Sequence, residues 1–420
     1  MPTAATATDP SALDPGSAAL RRAIRRAERR RRIASALLVA PLVAFLLVVF
    51  VVPIGVMLYR SIENPELVET WPRTSEAVRT WDGTEPIPNR LYKALGQDLV
   101  AAYYDRALAD PARRLNYEIQ GFRSLIMGSA RALPRETPEQ GWKQAFLATD
   151  RKWGELAYWR EIKDTATPYT AHYLLRALDL KRTPNGEIVW VQRNEAIFLD
   201  IYARTFWMAS IITGCALLMG YPLAYLMANG HRTTRATLLL FVLLPFWTSL
   251  LARTSAWVVV LQQNGLLNDL LTWLGVIDQP LQLLYNRFGV YVGMVHILLP
   301  FMVMPIYAVM RGIPSSHMLA AQGLGAPAFT AFRRVYLPQT TNGIGAGCLL
   351  VFILSVGFYI TPALLGSPQD QLVSYFIAFY TNQTINWGLA SALGVILLIC
   401  VFVLYAVFHR LVGFSRPQLG

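Results

Sequence analysis

Along the chain, apolar positions gather into six long runs separated by polar stretches of very unequal length. Ile33 to Tyr59 is apolar throughout and long enough to cross a bilayer as a helix. Runs at about Ile201 to Ala228, Ala236 to Leu261, Val290 to Met310, Ile344 to Leu364 and Trp387 to Phe408 predict five further spans. Between the first two spans the pattern changes. Ser61 to Glu195 carries 19 basic and 19 acidic residues, and apolar positions recur at helical spacing in Arg90 to Ala109, Asn116 to Leu133 and Gln140 to Lys163. Within Thr183 to Val191, Pro184-Asn185-Gly186 suits a hairpin turn. The aromatics of this segment, among them Tyr103, Tyr104, Trp142, Trp153, Tyr158 and Trp159, read as its own core in preference to a ligand cage.

The predicted fold is an all-α membrane protein with six transmembrane helices and a mainly helical extracytoplasmic insert between helices 1 and 2. Residues 1–32 form a disordered basic cytoplasmic N-terminus, 33–60 helix 1, 61–195 the insert, 196–411 a core domain of helices 2–6 with a connecting loop at 311–340, and 412–420 a cytoplasmic tail. A basic head before an apolar run also resembles a signal peptide. This run is too long and lacks a small-residue cleavage site, so it is read as a retained span.

Composition agrees with membrane residence, at 54% hydrophobic and 15% charged. The net charge of +12 raises the question of nucleic acid. With both termini cytoplasmic, fifteen arginines and three acidic residues fall on the cytoplasmic side, which accounts for the whole excess and leaves 23 basic and 23 acidic residues elsewhere. The charge thus follows the positive-inside rule, and nucleic acid is excluded as a partner. Cys215, Cys348 and Cys400 all lie in apolar runs, the five histidines are scattered, and neither a metal motif nor a catalytic constellation is present. The spans hold no Asp or Glu apart from Asp200 at a boundary, which argues against ion-coupled carriage through an internal carboxylate. Prolines at 41, 53, 222, 245, 300, 305 and 362 favour a pathway over a plain anchor. Arg253 is the one cation clearly inside a span; snorkelling, a carbonyl partner and a pathway role all fit it.

The stretch Met318 to Pro338 is neither span nor ordinary loop. Ser315 and Ser316 can cap a short helix, Gly323 and Gly325 permit a sharp turn, and Pro327 suits the start of a second helix. In that second helix Phe329, Phe332 and Tyr336 fall on one sticky face. This stretch resembles the EAA loop of permease subunits of bacterial ABC importers, with Ala320, Ala321, Gly325, Ala326, Phe332, Leu337 and Pro338 at the matching positions. Leu319 stands where the family has an acidic residue, which points to a contact made by packing more than by charge. LPFWTS at 244–249, Arg253 with Trp257, NGLLN at 264–268, LGVIDQPL at 274–281, PFMVMPIY at 300–307 and LLGSP at 364–368 are similar to the spermidine/putrescine type. Where relatives of this type can carry glutamates, this chain has Phe358 and Ala363.

The resemblance implies the ABC importer permease fold, a non-catalytic transport subunit and a multi-pass protein of the bacterial inner membrane. It also implies two ATP-binding subunits, a second permease in a heterodimer and an extracytoplasmic substrate-binding protein. No cofactor is expected on this chain itself, since ATP and Mg belong to the ATPase and no Gly-rich Lys-Ser/Thr phosphate loop is present. The implied substrate is a small amine such as putrescine or spermidine, with an opine or amino-acid derivative as the alternative. Trp247, Trp257, Phe358, Tyr359 and Trp387 are candidates for cation–π contact along a pathway, against an interfacial or packing role. A membrane-anchored ligand sensor and an ion-driven carrier are the rivals from other classes.

Overall fold

The computed structural model describes residues 18–183 and 187–412 and falls into two units, one ending at Tyr59 and the other beginning at Arg60. The first unit is a single rod: α1 (Ala18–Leu46), a wide turn at Leu47–Val51, and α2 (Val52–Arg60). Its apolar side chains from Ile33 onward are exposed, as in a helix made for lipid. The arginine run is helical from Ala18 and not disordered as expected, because alanines and arginines are good helix formers that continue into the apolar rod. The disorder expected for the first 17 residues, the tail beyond Val412 and the hairpin turn at 184–186 lie outside the described residues.

The insert contains α3 (Pro65–Thr70), α4 (Pro72–Arg79), α5 (Asn89–Tyr104), α6 (Ala109–Asn116), α7 (Phe122–Ala132), α8 (Trp142–Thr149), α9 (Leu156–Thr165) and α10 (His172–Arg176). Two short strands, β1 (Leu180–Arg182) and β2 (Ile188–Trp190), follow as an antiparallel pair. The helix expected over 90–109 stops at Tyr104, since Arg106 turns with φ 56°. The helix expected over 140–163 divides where Asp150 accepts a hydrogen bond from the backbone of Lys152 and opens a tight turn. Pro65 and Pro72 begin two helices that periodicity alone missed. Trp153, Trp159, Tyr92, Phe122 and Phe146 are fully buried together, with indole–aromatic edge contacts such as Phe146–Trp153 at 5.0 Å. The aromatics therefore form the core, with the exception of Tyr103 and Tyr104, which are exposed.

The remaining helices are α11 (Phe198–Asn229), α12 (Arg232–Leu243), α13 (Leu250–Leu261), α14 (Leu266–Trp273), α15 (Arg287–Arg311), α16 (Ser316–Gly323), α17 (Ala328–Ala331), α18 (Leu337–Gln339), α19 (Thr341–Gly357), α20 (Ile360–Leu365), α21 (Val373–Asn382) and α22 (Trp387–Val412). Four described helical rods are long and apolar enough to cross a membrane: 25–60, α11, α15 and the 387–410 part of α22. Two bent pairs raise the number to six, one with a bend of 102° after Trp247 and one with a bend of 60° after Gln339. The expected span at 236–261 is interrupted at the first of these bends, and that at 344–364 at a separate break between α19 and α20. Pro245 removes a helical donor in the first, and the chain turns extended at Phe358 (ψ 136°) in the second.

Helices α11, α15 and α19 pack on one another as the centre of the bundle. A Cβ at Gly347 would lie 3.0 Å from the Met302 carbonyl, so glycine there lets α19 approach the backbone of α15. A second cluster joins Tyr173 and Ala177 of the insert to Phe198, Tyr202, Leu389, Ala392 and Leu393. Gly388 makes room for Tyr173, whose ring would clash with a Cβ there.

Candidate functional site

The loop between α15 and α19 is built on one glycine. Helix α16 ends at Gly323, Leu324 follows, and Gly325 takes φ +90°, the left-handed conformation that L side chains avoid. The Gly325 N–H donates to the Gln322 carbonyl at 2.9 Å and the Ala326 N–H to the Ala321 carbonyl at 3.1 Å, the paired bonds of a glycine-terminated helix. Gly323, also expected at the turn, stays helical. Pro327 holds ψ 150° just before α17 and so stands one position ahead of the helix that the sequence pattern let it begin.

Beyond α17, Phe332 and Tyr336 turn inward. With Tyr221 and Tyr225 of α11 they form an aromatic platform with ring centroids 5.5 to 6.3 Å apart between the helices. Asn229 Nδ2 donates to the Tyr336 hydroxyl at 3.0 Å, the Tyr221 and Thr340 hydroxyls lie 3.3 Å apart, and His317 Nδ1 lies 2.9 Å from Gln339 Oε1. The loop is therefore fastened to α11 and to the start of α19. Phe329 departs from the expected face and is 73% exposed, because it precedes the point at which the chain rejoins the bundle. Leu319 at 65% and Leu324 at 91% stand out with it, Ala320 and Pro338 are exposed, and Ala321, Ala326 and Leu337 are half-buried. Sequence reading missed Leu324, and missed the tyrosines at 221 and 225, whose i, i+4 spacing flanking Pro222 was the available signal.

The pathway candidates divide. Trp257 and Phe358 pack on the central cluster, and Tyr359 follows directly in the unwound stretch between α19 and α20. The Ser374 hydroxyl donates to the Phe358 carbonyl at 2.7 Å, satisfying an acceptor that the break sets free. Across the same region the Thr254 and Thr361 hydroxyls lie 3.3 Å apart, both wholly buried, and tie α13 to α20. The Trp257 indole N–H donates to His296 Nδ1 of α15 at 3.2 Å. Arg253 lies one helical turn from Trp257, half-buried, and its Nε finds no hydrogen-bond partner. Trp247 is 79% exposed at the other break, and Trp387 carries the Arg60 guanidinium 5.8 Å above its ring. Neither packs with Trp257 and Phe358 in the central cluster.

The family described as "Binding-protein-dependent transport system inner membrane component" matches residues 220–419. The spermidine/putrescine transport system permease protein PotB of Haemophilus influenzae is 35% identical over 226 residues, 53% of this chain and 79% of the relative. Its Escherichia coli counterpart is 33% identical over 216 residues, 51% of this chain and 78% of the relative. A solved bacterial alginate ABC transporter aligns over 51% of this chain and 77% of its own at 19% identity, with a TM-score of 0.41. Through its similarity to these permeases, this chain belongs to the family of binding-protein-dependent transport system inner membrane components, as a non-catalytic transmembrane permease subunit of an ABC importer.

Proposed function

We propose that this subunit forms half of the translocation pathway for a polyamine of the putrescine or spermidine kind. It pairs with a second, different permease, binds two ATPase subunits on the cytoplasmic side and receives substrate from an extracytoplasmic binding protein. Both termini and the 311–340 loop face the cytoplasm in this reading, in keeping with Arg311, Arg333 and Arg334 near the loop. The polyamine assignment is supported by the likeness to two permeases named for spermidine and putrescine.

The observation that carries the coupling role is the two-sided build of the loop. Leu319, Leu324 and Phe329 project outward while Phe332 and Tyr336 lock onto α11. Such a piece moves as a rigid body, so ATP-driven closure of the ATPases is passed to α11 and α19 and on to alternating access. Leu337 and Pro338 lead directly into α19 and complete the lever. Phe358 and Tyr359 stand at the break between α19 and α20 that gives the pathway its polar backbone, and Trp257 of α13, one helical turn from Arg253, packs with Phe358 in the central cluster. A multiply charged amine needs carboxylates, which the second permease or the binding protein supplies. The replacement of two glutamates by Phe358 and Ala363 favours one further reading, a less cationic opine or amino-acid derivative.

The test is uptake of radiolabelled putrescine by proteoliposomes holding the co-expressed complex and its binding protein. ATP-dependent uptake is expected, with the binding protein required. Uptake of an opine in preference to putrescine selects the second reading, and uptake driven by an ion gradient without ATP overturns both.

A further inference from the structure

Among the described residues of the insert, β2 carries an apolar face for which the fold provides no cover. Ile188 is 60% exposed and Trp190 is 67% exposed, and the two share one face of the strand because they are two residues apart. Exposed large apolar side chains on an otherwise polar insert need a partner. The position of the hairpin says which one.

The hairpin sits at the mouth of a membrane helix. The Val191 N–H donates to the Asp179 carbonyl at 2.9 Å, and the Asp179 carboxylate in turn accepts from the backbone N–H groups of Ile197, Phe198 and Leu199 at 3.0, 3.1 and 2.7 Å. Asp179 thus caps the start of α11 from a distance in sequence. Just before it, Tyr173 and Ala177 pack against Leu389, Ala392 and Leu393, which belong to the first turns of an apolar rod of mean hydropathy 2.8. Ala177 therefore stands level with the beginning of a span, and β1 begins three positions further on, at most about 10 Å of chain. The polar layer on each side of the hydrocarbon is itself roughly 5–7 Å deep. Ile197 and Leu199, beside the cap, are 41% and 40% exposed and continue the apolar surface.

We infer that the β1–β2 hairpin is an interfacial anchor, with Trp190 and Ile188 immersed at the boundary between lipid headgroups and acyl chains. Tryptophan is well matched to that layer, having an apolar ring and one N–H that reaches water. The anchor fixes the height of the insert on the bilayer. The inference rests on membrane residence alone and is independent of the substrate and of the coupling role.

The test uses the full-length complex in lipid nanodiscs, with Cys215, Cys348 and Cys400 replaced by Ser and a nitroxide attached at Trp190→Cys or, separately, at Ile188→Cys. The reference is a nitroxide at Arg123→Cys, an exposed position of α7. At both hairpin positions oxygen collisions are expected to rise and collisions with a water-soluble nickel chelate to fall relative to the reference. Chelate access equal to the reference overturns the inference by placing the hairpin in water. Loss of both kinds of collision overturns it in favour of a protein partner. Should the cysteine-substituted complex fail to assemble, the native-cysteine protein decides: quenching of tryptophan fluorescence by chain-brominated lipid is expected to decrease in Trp190→Phe, and unchanged quenching refutes the anchor.

Discussion

At Gly325 the backbone alone decides what residue is tolerated. A Cβ there would meet nothing within 4 Å, yet φ +90° makes any L side chain strained, by about 1–2 kcal/mol. Gly325→Ala is therefore expected to weaken coupling modestly with assembly intact. Gly325→Glu adds bulk and charge on the outward face and is expected to leave ATP hydrolysis running in the membrane complex while uptake is lost; ATPase and uptake assays on the two variants separate strain from interference. If the Glu variant transports like wild type, the coupling assignment is wrong. A second residue-scale outcome concerns Glu161 in the insert. Burial and the neighbouring charge of Glu118 raise its carboxyl from 4.5 to about 7. The raised value means that its contribution to stability is complete below pH about 4.5 and is lost as pH rises through about 7. His172, hydrogen-bonded to Glu118 at 2.8 Å, has its pKa lowered by burial and contributes the opposite slope, so the informative quantity is a difference. Thermal unfolding of wild type minus that of Glu161→Gln should fall across this window, and a flat difference would show that Glu161 stays ionised throughout.

At the scale of elements, the breaks matter more than the rods. Helix α19 ends at Gly357 and α20 resumes at Ile360, and the freed Phe358 carbonyl is met by Ser374 from α21. The proposed lever from α16 to α18 rests on an inner face of Phe332 and Tyr336 held against α11 and an outer face of Leu319, Leu324 and Phe329. The same reasoning applies to the start of α11, where one carboxylate satisfies three backbone donors. Asp179→Ala is expected to cost about 1 kcal/mol, the usual worth of an N-cap. The effect should appear as faster amide exchange at Ile197, Phe198 and Leu199 with the centre of α11 unchanged; exchange identical to wild type would mean that water replaces the cap without loss.

For the whole molecule, the insert is a removable body with a defined seam. The Asn64 N–H donates to the Pro168 carbonyl at 3.0 Å and the Thr170 N–H to the Ile62 carbonyl at 2.7 Å, so the two ends of the helical part meet as a short antiparallel bridge. Its hydrophobic core lies entirely between Leu67 and Ala166, whereas Tyr173 and Ala177 belong with the membrane helices. Replacing residues 65–167 with a short Gly-Ser linker should therefore preserve membrane insertion and the packing of α10, while deletion through 192 strips cover from Phe198 and Leu389. We propose that the insert, which joins the first two spans on the receiving face, docks the binding protein, so in uptake assays the shorter excision is expected to impair delivery without abolishing basal ATP hydrolysis. Unchanged binding-protein-dependent uptake would remove delivery as the role of the insert.

Six apolar runs, the balanced charge of the insert and the glycine at 325 were legible from the chain because each is a local matter: transfer of apolar length into lipid, solvation of charge, and the backbone freedom of one residue. The family resemblance added the proposed coupling role through spacing alone. What the sequence could not give were the relations between distant segments. Hydropathy sees a run as apolar whether or not the helix within it is broken, so although Pro245 marked a possible break, the interruption at Phe358 emerged only from the packed bundle. Phe329 and Phe332 look alike in the pattern, yet only Phe332 meets tyrosines more than a hundred residues away. The cap on α11 by Asp179 and the seat of Tyr173 on Gly388 likewise join positions that share no periodicity, because burial and hydrogen bonding depend on what the folded chain brings near.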